Sequence, residues 1–266
     1  MANLVSYSQT PNGRRILVAA FFVLVMLAWH LGLRAFDVSP LVFPGPVEVG
    51  KSLCDGFASG EYWLHLGVTL YEILIGFAIG AAAGFLLGAA IGQSAVLEAV
   101  LYPYVVAFQA MPKVAVAPLF VVWFGFGATS KIVITATIVF FPVLANTIVG
   151  LRSAPRDQID LMMAFTASRW QVFRIVRLPQ SLPYVFVGLD IGIVLAVIGA
   201  IVGEFVGSQS GLGYLILQRN FSLDTAGVFA ILVILSLIGI GLHIVMKTIA
   251  RKVIFWVDSF ADITGA

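Results

Sequence analysis

The sequence LRSAPRDQIDLMMAFTASRWQVFRIVRLPQSLP, residues 151–183, interrupts a chain that is otherwise strongly apolar. It ends in two Leu-Pro steps, at 178–179 and 182–183, and it carries five arginines, Arg152, Arg156, Arg169, Arg174 and Arg177. A membrane protein that keeps a basic, helix-forming loop of this length on one side of the bilayer usually docks a partner there. The rest of the chain decides which kind of membrane protein this is.

Composition excludes an ordinary soluble domain. Hydrophobic residues make up 61% of the 266 residues and charged residues only 11%, whereas about a quarter of a soluble domain is charged. The chain is therefore predicted to be an integral membrane protein. The net charge of +2 does not suggest nucleic-acid binding, and a single cysteine, Cys54, excludes an intrachain disulfide. The three histidines show no ligand spacing, so we expect no metal site and no cofactor held by this chain.

Six apolar segments are long enough to cross a bilayer core, which requires about 20 helical residues. They are continuously apolar rather than alternating, which favours helices over a barrel, and they cover 16–35, 64–91, 99–124, 131–150, 184–206 and 226–247. Arg14-Arg15 before the first segment resembles a signal peptide, but the segment is as long as a span and lacks a small-residue cleavage site. We therefore predict an all-α protein with six transmembrane helices in one domain, 1–266, which contains the loop 151–183.

The basic residues predict the orientation. With the N-terminus in the cytoplasm, the inner side collects ten of the 15 Lys and Arg residues, namely Arg14, Arg15, the five arginines of the loop, Lys247, Arg251 and Lys252. This bias places both termini and the loop 151–183 in the cytoplasm.

Two segments have unusual helix patterns. Gly76, Gly80, Gly84, Gly88 and Gly92 recur every fourth residue in the second segment, so they share one face that another helix can approach closely. This face serves either packing or sliding between conformations.

The third segment contains three prolines within 16 residues, Pro103, Pro112 and Pro118. Its broken part, 109–119, is either a pathway element, with Gln109, Met111 and Pro112 as candidates, or a simple packing kink.

A nucleotide-binding pattern at 45–52 is rejected. GPVEVGKS fits the P-loop spacing, but a phosphate cradle requires a preceding strand and an α/β domain. Here Phe43-Pro44 precedes it, Pro46 lies inside it, and it falls between two spans. The chain therefore supplies no ATPase of its own, and no nucleophile, base or metal set indicates an enzyme.

The loop itself predicts two short helices. The first begins after Pro155 and covers Asp157 to Phe165; Thr166 and Ser168 are candidate caps for a second helix, from about Arg169 to Val176, which Leu178-Pro179 ends. A headgroup anchor accounts for the arginines. It does not account for an apolar cluster that projects into the cytosol, Leu161, Met162, Met163, Ala164 and Phe165, and such a cluster marks a protein contact.

The loop resembles the cytoplasmic "EAA" loop of ATP-binding-cassette importer permeases. Counting back from Leu178-Pro179, the family's Glu falls on Asp160, its two Ala on Leu161 and Met162, and its Gly on Thr166. Flanking motifs resemble the nitrate/sulfonate/taurine branch, which includes permeases for thiamine-precursor pyrimidines; they are 117–119 (APL), 123–127 (WFGFG), 141–142 (FP), 167–173 (ASRWQVF), 203–205 (GEF) and 211–214 (GLGY).

This resemblance implies a type I importer permease in a bacterial inner membrane. Its loop would be a coupling helix, with Asp160 to Thr166, Leu178 and Pro179 contacting the ATPase. The implied partners are a second permease copy, an ATPase homodimer that binds ATP and Mg, an external solute-binding protein and membrane lipid, with no nucleic acid. The solute would be small and polar or anionic. The alternative is a secondary transporter or channel that works without an ATPase, although neither an inverted repeat nor a chain of ionisable groups is evident.

Three acidic residues within the spans have open roles. Glu204 either lines the translocation cavity or hydrogen-bonds Ser208. Asp190 is expected to pair with Arg177 or Lys247, and Glu72 to be a snorkelling or paired residue near the outer boundary.

Overall fold

The structure, a computed structural model, describes residues 11–256, and all of its regular elements in that range are helical. They are α1 (Pro11–Ala35), α2 (Pro46–Ala58), α3 (Glu61–Gln93), α4 (Ala95–Ala110), α5 (Lys113–Phe124), α6 (Ala128–Arg152), α7 (Arg156–Ala164), α8 (Arg169–Val172), α9 (Leu178–Gly207), α10 (Leu212–Phe221) and α11 (Thr225–Val253). A π turn, Phe173–Arg177, joins α8 to α9. The predicted all-α class is confirmed.

The six predicted spans each correspond to a helix or a helix pair. Among the described residues, five helical stretches are long and apolar enough to cross a membrane, within α1, α3, α6, 169–207 and α11. The pair α4 and α5 makes a sixth span if it is counted as one, and it bends by 93° at Met111-Pro112. The third segment is therefore broken, as predicted, but only at Pro112. Pro103 and Pro118 lie inside α4 and α5.

The prediction that Leu178-Pro179 ends a helix is wrong. Helical backbone runs from Arg169 to Gly207 through the π turn. The amide of Leu178 donates to the carbonyl of Phe173, five residues back, and Pro179 lies in the first turn of α9. A change from π to α bonding shifts the hydrogen-bond register by one residue, so proline, which has no N–H, fits at this point without the loss of a bond.

The glycine face of α3 packs directly on the backbone of α6. A Cβ atom added at Gly84 would lie 2.6 Å from the carbonyl oxygen of Phe140, and one added at Gly88 would lie 2.8 Å from Cβ of Thr147. Gly80 faces the backbone of Ala136 in the same way. Only glycine permits this approach. The packing interpretation of the glycine repeat is confirmed, and the sliding role stays a prediction.

The main core lies where α6 and α9 pack together, with α3 and the end of α11 against them. Its buried members include Ile73, Val139, Val143, Ile193, Ala196, Ala200 and Met246. Small residues of α9 again permit close approach: a Cβ at Gly199 would lie 2.9 Å from Cα of Thr135 in α6. This core fixes α6 and α9, the helices on either side of the loop 151–183. On the two sides of the break at Pro112, Val105 of α4 and Ala117 of α5 pack in separate clusters with residues of α6.

The described residues divide into two compact units: residues up to Tyr62 with Ile216–Val233, and Trp63–Leu215 with the residues from Ile234 onward. In the first unit the rings of Trp29, Phe43 and Phe229 pack together. Its Arg219 guanidinium contacts Glu61 at 2.5 Å and Asp224 at 3.0 Å. Burial alone would lower the pKa of Arg219, but these two carboxylates outweigh burial and raise it, so Arg219 stays charged.

The rejected nucleotide pattern lies in the same unit. Gly45 is extended and α2 begins at Pro46, so residues 46–52 have helical backbone. A P-loop would need them to wrap around a phosphate between a strand and a helix. The rejection of this pattern is confirmed.

Candidate functional site

The helix α7 stands out of the loop with an apolar surface. It begins at Arg156, after Pro155, and ends at Ala164, close to the predicted range. None of its residues is buried. The exposed fractions are 59% for Leu161, 61% for Met163 and 76% for Phe165 just after it. Asp160 and Ala164 are exposed as well, and Met162 is half-buried.

The turn after α7 needs a left-handed residue. Thr166 has φ +58°, a conformation that favours glycine. Its amide donates to the carbonyl of Met163 at 2.9 Å, and the Ala167 amide donates to Met162 at 3.0 Å. Thr166 therefore closes α7 and does not cap the next helix, contrary to our expectation. This geometry explains why the importer permeases that the loop resembles have glycine at this position.

The second predicted cap is confirmed. The Ser168 hydroxyl accepts from the amide of Gln171 at 3.3 Å, and the Ser168 amide donates to the Gln171 side-chain oxygen at 2.7 Å. This capping box starts α8. Leu178, further along, packs with Ala89, Leu151 and Phe173. Leu178 and Pro179 are half-buried, so they support the loop while Leu161, Met163 and Phe165 form its surface.

The break between α4 and α5 exposes the other predicted site residues. Gln109, Met111 and Pro112 are all exposed. The Lys113 ammonium donates to the Gln109 carbonyl at 2.9 Å and lies 4.6 Å from the centroid of the Phe141 ring. An exposed break in the backbone is not tolerated against lipid, so this surface must face protein or water.

Glu204 is also a predicted pathway residue, but it is buried, whereas Gln109, Met111 and Pro112 are exposed. Its side chain is 1% exposed, and its carboxylate accepts from the Thr69 hydroxyl at 2.6 Å and from the Gly213 amide. Thr69 in turn accepts from the amide of Leu212, and His65 accepts from the amide of Gly211. These side chains therefore satisfy the free amides at the start of α10. Ser208, the alternative partner, donates to the carbonyl of Ser210 instead.

Two further ionisable side chains lie beside Glu204. The Lys131 ammonium, also buried, donates to the carbonyls of Phe126, Gly127 and Gly207, at the end of α9. Glu72 interacts electrostatically with both Glu204 and Lys131, and its Oε2 atom has no hydrogen-bond partner. Glu72 and Lys131 line a cavity of about 860 Å³. In residues 11–256 no group of three His, Cys, Asp or Glu side chains has metal-binding geometry.

Comparison with known proteins identifies the family. Residues 76–255 match the binding-protein-dependent transport system inner membrane component family. The chain belongs to this family. The riboflavin transport system permease protein RibX of Chloroflexus aurantiacus is 37% identical, over 88% of this chain and 87% of that protein. The formylaminopyrimidine transport permease protein ThiX of Halalkalibacterium halodurans is 36% identical, over 89% and 94%. The taurine transport system permease protein TauC of Escherichia coli is 28% identical, over 92% of each.

The fold agrees with this assignment. The inward-facing MetNI methionine ABC transporter gives a TM-score of 0.58 at 25% identity, and the match covers 72% of this chain and 94% of that one. The chain is therefore the permease subunit of an ATP-driven importer, and the resemblance seen in the sequence is confirmed. A permease of this family is a multi-pass membrane protein that works with an ATPase and a solute-binding protein. The alternative of a transporter without an ATPase is set aside.

Sequence reasoning missed several partners within the permease. Asp190 pairs with His243 at 2.7 Å, not with Arg177 or Lys247, so that expectation is wrong. Thr69, His65 and Lys131 were not singled out as partners of Glu204 or of the ends of α9 and α10. The only available signal was that acidic and basic residues occur at similar predicted depths in different spans. Such a signal does not specify which helices are neighbours.

Proposed function

We propose that two copies of this permease pair around a translocation pathway, and that α7 of each copy is the coupling helix. Each α7 would dock into one subunit of an ATP-binding-cassette ATPase homodimer, which binds the ATP and Mg. ATP-driven closure of the ATPases would then move the helices that are joined to α7. A preference of the ATPases for one conformation supplies the free energy for the switch.

The exposed apolar surface of α7 carries this proposal. Leu161, Met163 and Phe165 are each more than half exposed, although they follow a strongly polar run, Arg156 to Asp160. A cytoplasmic loop has no reason to keep three large apolar groups in water unless a partner covers them. Asp160 adds a negative charge at the edge of this surface, while Leu178 and Pro179 hold its base.

The break at Pro112 supports the pairing of two copies. Met111 and Pro112 form irregular, exposed backbone within a span, with Gln109 exposed in the last turn of α4 beside them. Irregular backbone is stable only against protein or a water-filled cavity. A second copy placed over this break would cover it and create the pathway. Glu204 would lie behind the residues that line the pathway, because its carboxylate is already bonded to Thr69 and Gly213.

The remaining assignments follow from the charge distribution and from the relatives. Both termini and the loop 151–183 would lie in the cytoplasm, and the external solute-binding protein would approach the opposite side. The relatives are named for riboflavin, formylaminopyrimidine and taurine transport, so the solute of this importer would be a small polar or anionic organic molecule. The permease itself would perform no covalent chemistry.

The test is Phe165→Asp in the full-length, tagged permease. This change places a charge in the apolar surface, so recovery of the ATPase from mild detergent and ATP-driven uptake should both be lost. Phe255→Asp is the matched control, because Phe255 is 81% exposed and lies outside the loop; it should leave both unchanged. Normal uptake by both Phe165→Asp and Asp160→Lys would refute the coupling-helix assignment.

A further inference from the structure

Lys113 lies near the middle of the membrane. Its ammonium is 4.6 Å from the ring centroid of Phe141, a residue near the middle of α6 (Ala128–Arg152). At about 1.5 Å of rise per residue, Phe141 is about 20 Å from the start of α6 and about 17 Å from its end. The apolar core of a bilayer is about 30 Å thick, so Lys113 is remote from both surfaces.

Within residues 11–256, Lys113 has no opposite charge beside it, unlike Lys131 and the acidic residues of the spans. Asp190 pairs with His243, and Glu72, Lys131 and Glu204 interact with one another. Within residues 11–256, no carboxylate forms an ion pair with Lys113. An unpaired charge inside the membrane is costly and is normally retained for function.

The ammonium group also keeps donors available. Lysine has three N–H donors, and the structure uses one of them, toward the Gln109 carbonyl at 2.9 Å. The bond to Gln109 and the Phe141 ring hold the ammonium at the break between α4 and α5. Met111 and Pro112 are exposed beside it, so the remaining donors lie at an open surface.

We propose that Lys113 binds the negatively charged group of the transported solute, which makes this importer selective for small organic anions such as sulfonates or carboxylates. The inference rests on the proposed function, in which the break faces the pathway. Lipid phosphate is not a suitable ligand, because the headgroups lie about 15 Å from the centre of the bilayer. A positive charge on the pathway would attract an anionic solute and repel cations.

The charge beside the break is measured by cysteine labelling at Met111. The assembled importer carries Met111→Cys in a Cys54→Ser background, because the native Cys54 is exposed. It is treated with an anionic methanethiosulfonate reagent (sulfonatoethyl) and with a cationic one (trimethylammonioethyl). The ratio of the anionic to the cationic labelling rate should fall roughly tenfold in Lys113→Met, because the positive potential is lost. Lys113→Arg should keep the ratio.

Methanesulfonate tests recognition of the anion itself. It should slow labelling of Met111→Cys when Lys113 is present and should have no effect in Lys113→Met, while the uncharged analogue dimethyl sulfone should protect neither. Lys113→Gln is the second neutral variant, because its amide still donates a hydrogen bond at this break if Lys113→Met does not assemble. Lys51→Met removes a charge from α2 and should leave the labelling ratio unchanged.

The outcomes separate this inference from the proposed function. If Met111→Cys reacts with neither reagent, the pathway assignment fails and the role of Lys113 fails with it. If Met111→Cys reacts but the ratio is the same with lysine, methionine and glutamine at 113, the pathway stands and the anion-binding role is refuted. A charge-dependent ratio with protection by methanesulfonate supports both.

Discussion

A single methyl group at Gly84 should weaken the contact between α3 and α6. The Cβ atom of Gly84→Ala would lie 2.6 Å from the carbonyl oxygen of Phe140 and 3.1 Å from the amide nitrogen of Leu144. Ordinary contact begins at 3.4 Å. Both neighbours are backbone atoms, which cannot rotate away as a side chain can, so the two helices must move apart by several tenths of an ångström.

The expected cost follows from two opposing effects. Overpacking of a tight interface costs about 1–3 kcal/mol, whereas replacing glycine by alanine inside a helix returns up to about 1 kcal/mol. We therefore expect Gly84→Ala to lower the free energy of unfolding by about 1–2 kcal/mol. Gly67→Ala is the matched control, because Gly67 is in the same helix and a Cβ atom added there would have nothing within 4 Å; it should be neutral or slightly stabilising.

Thermal unfolding of the purified protein in detergent, followed by tryptophan fluorescence, measures the difference. For a protein of this size a loss of 1–2 kcal/mol lowers the apparent midpoint by roughly 2–8 °C. Because unfolding of membrane proteins is often irreversible, the variants are compared at one heating rate. If Gly84→Ala and Gly67→Ala unfold at the same temperature, the close approach of α3 and α6 is not as the structure has it.

Two further predictions concern the loop and the start of α10. Thr166→Gly removes the strain of a left-handed threonine and should stabilise the turn by about 0.5–1 kcal/mol. Hydrogen exchange at the amides of residues 166 and 167 should then slow. Faster exchange at these amides would contradict the strain argument. Glu204→Ala leaves the Thr69 hydroxyl and the Gly213 amide without their acceptor, at a cost of about 2–4 kcal/mol. Glu204→Gln keeps an acceptor oxygen and should cost less. If Glu204→Ala unfolds at a higher temperature than Glu204→Gln, the role of Glu204 as a hydrogen-bond acceptor is refuted.

Much of the fold was predictable because its signals are local. The length of each apolar run is sufficient to indicate a span, and the three prolines at 103, 112 and 118 predict a break in the third span. The missing N–H that they share does not specify that only Pro112 makes this break. The helix α7 and the capping box of Ser168 and Gln171 depend on residues within one or two turns of each other. The glycine repeat likewise predicts a close helix contact, since it needs only the helical period.

The sequence by itself determined that this chain spans the membrane, which glycines share one helix face, and where an apolar surface interrupts a polar loop. Only the tertiary structure decided that Glu204 bonds to Thr69, that Asp190 pairs with His243 and that Lys113 lies over Phe141, with no carboxylate of residues 11–256 paired to it. The physical reason is that these partners are 28 to 135 residues apart. Their contacts depend on which helices pack together and at what depth, and the periodicity of a single helix carries no information about its neighbour.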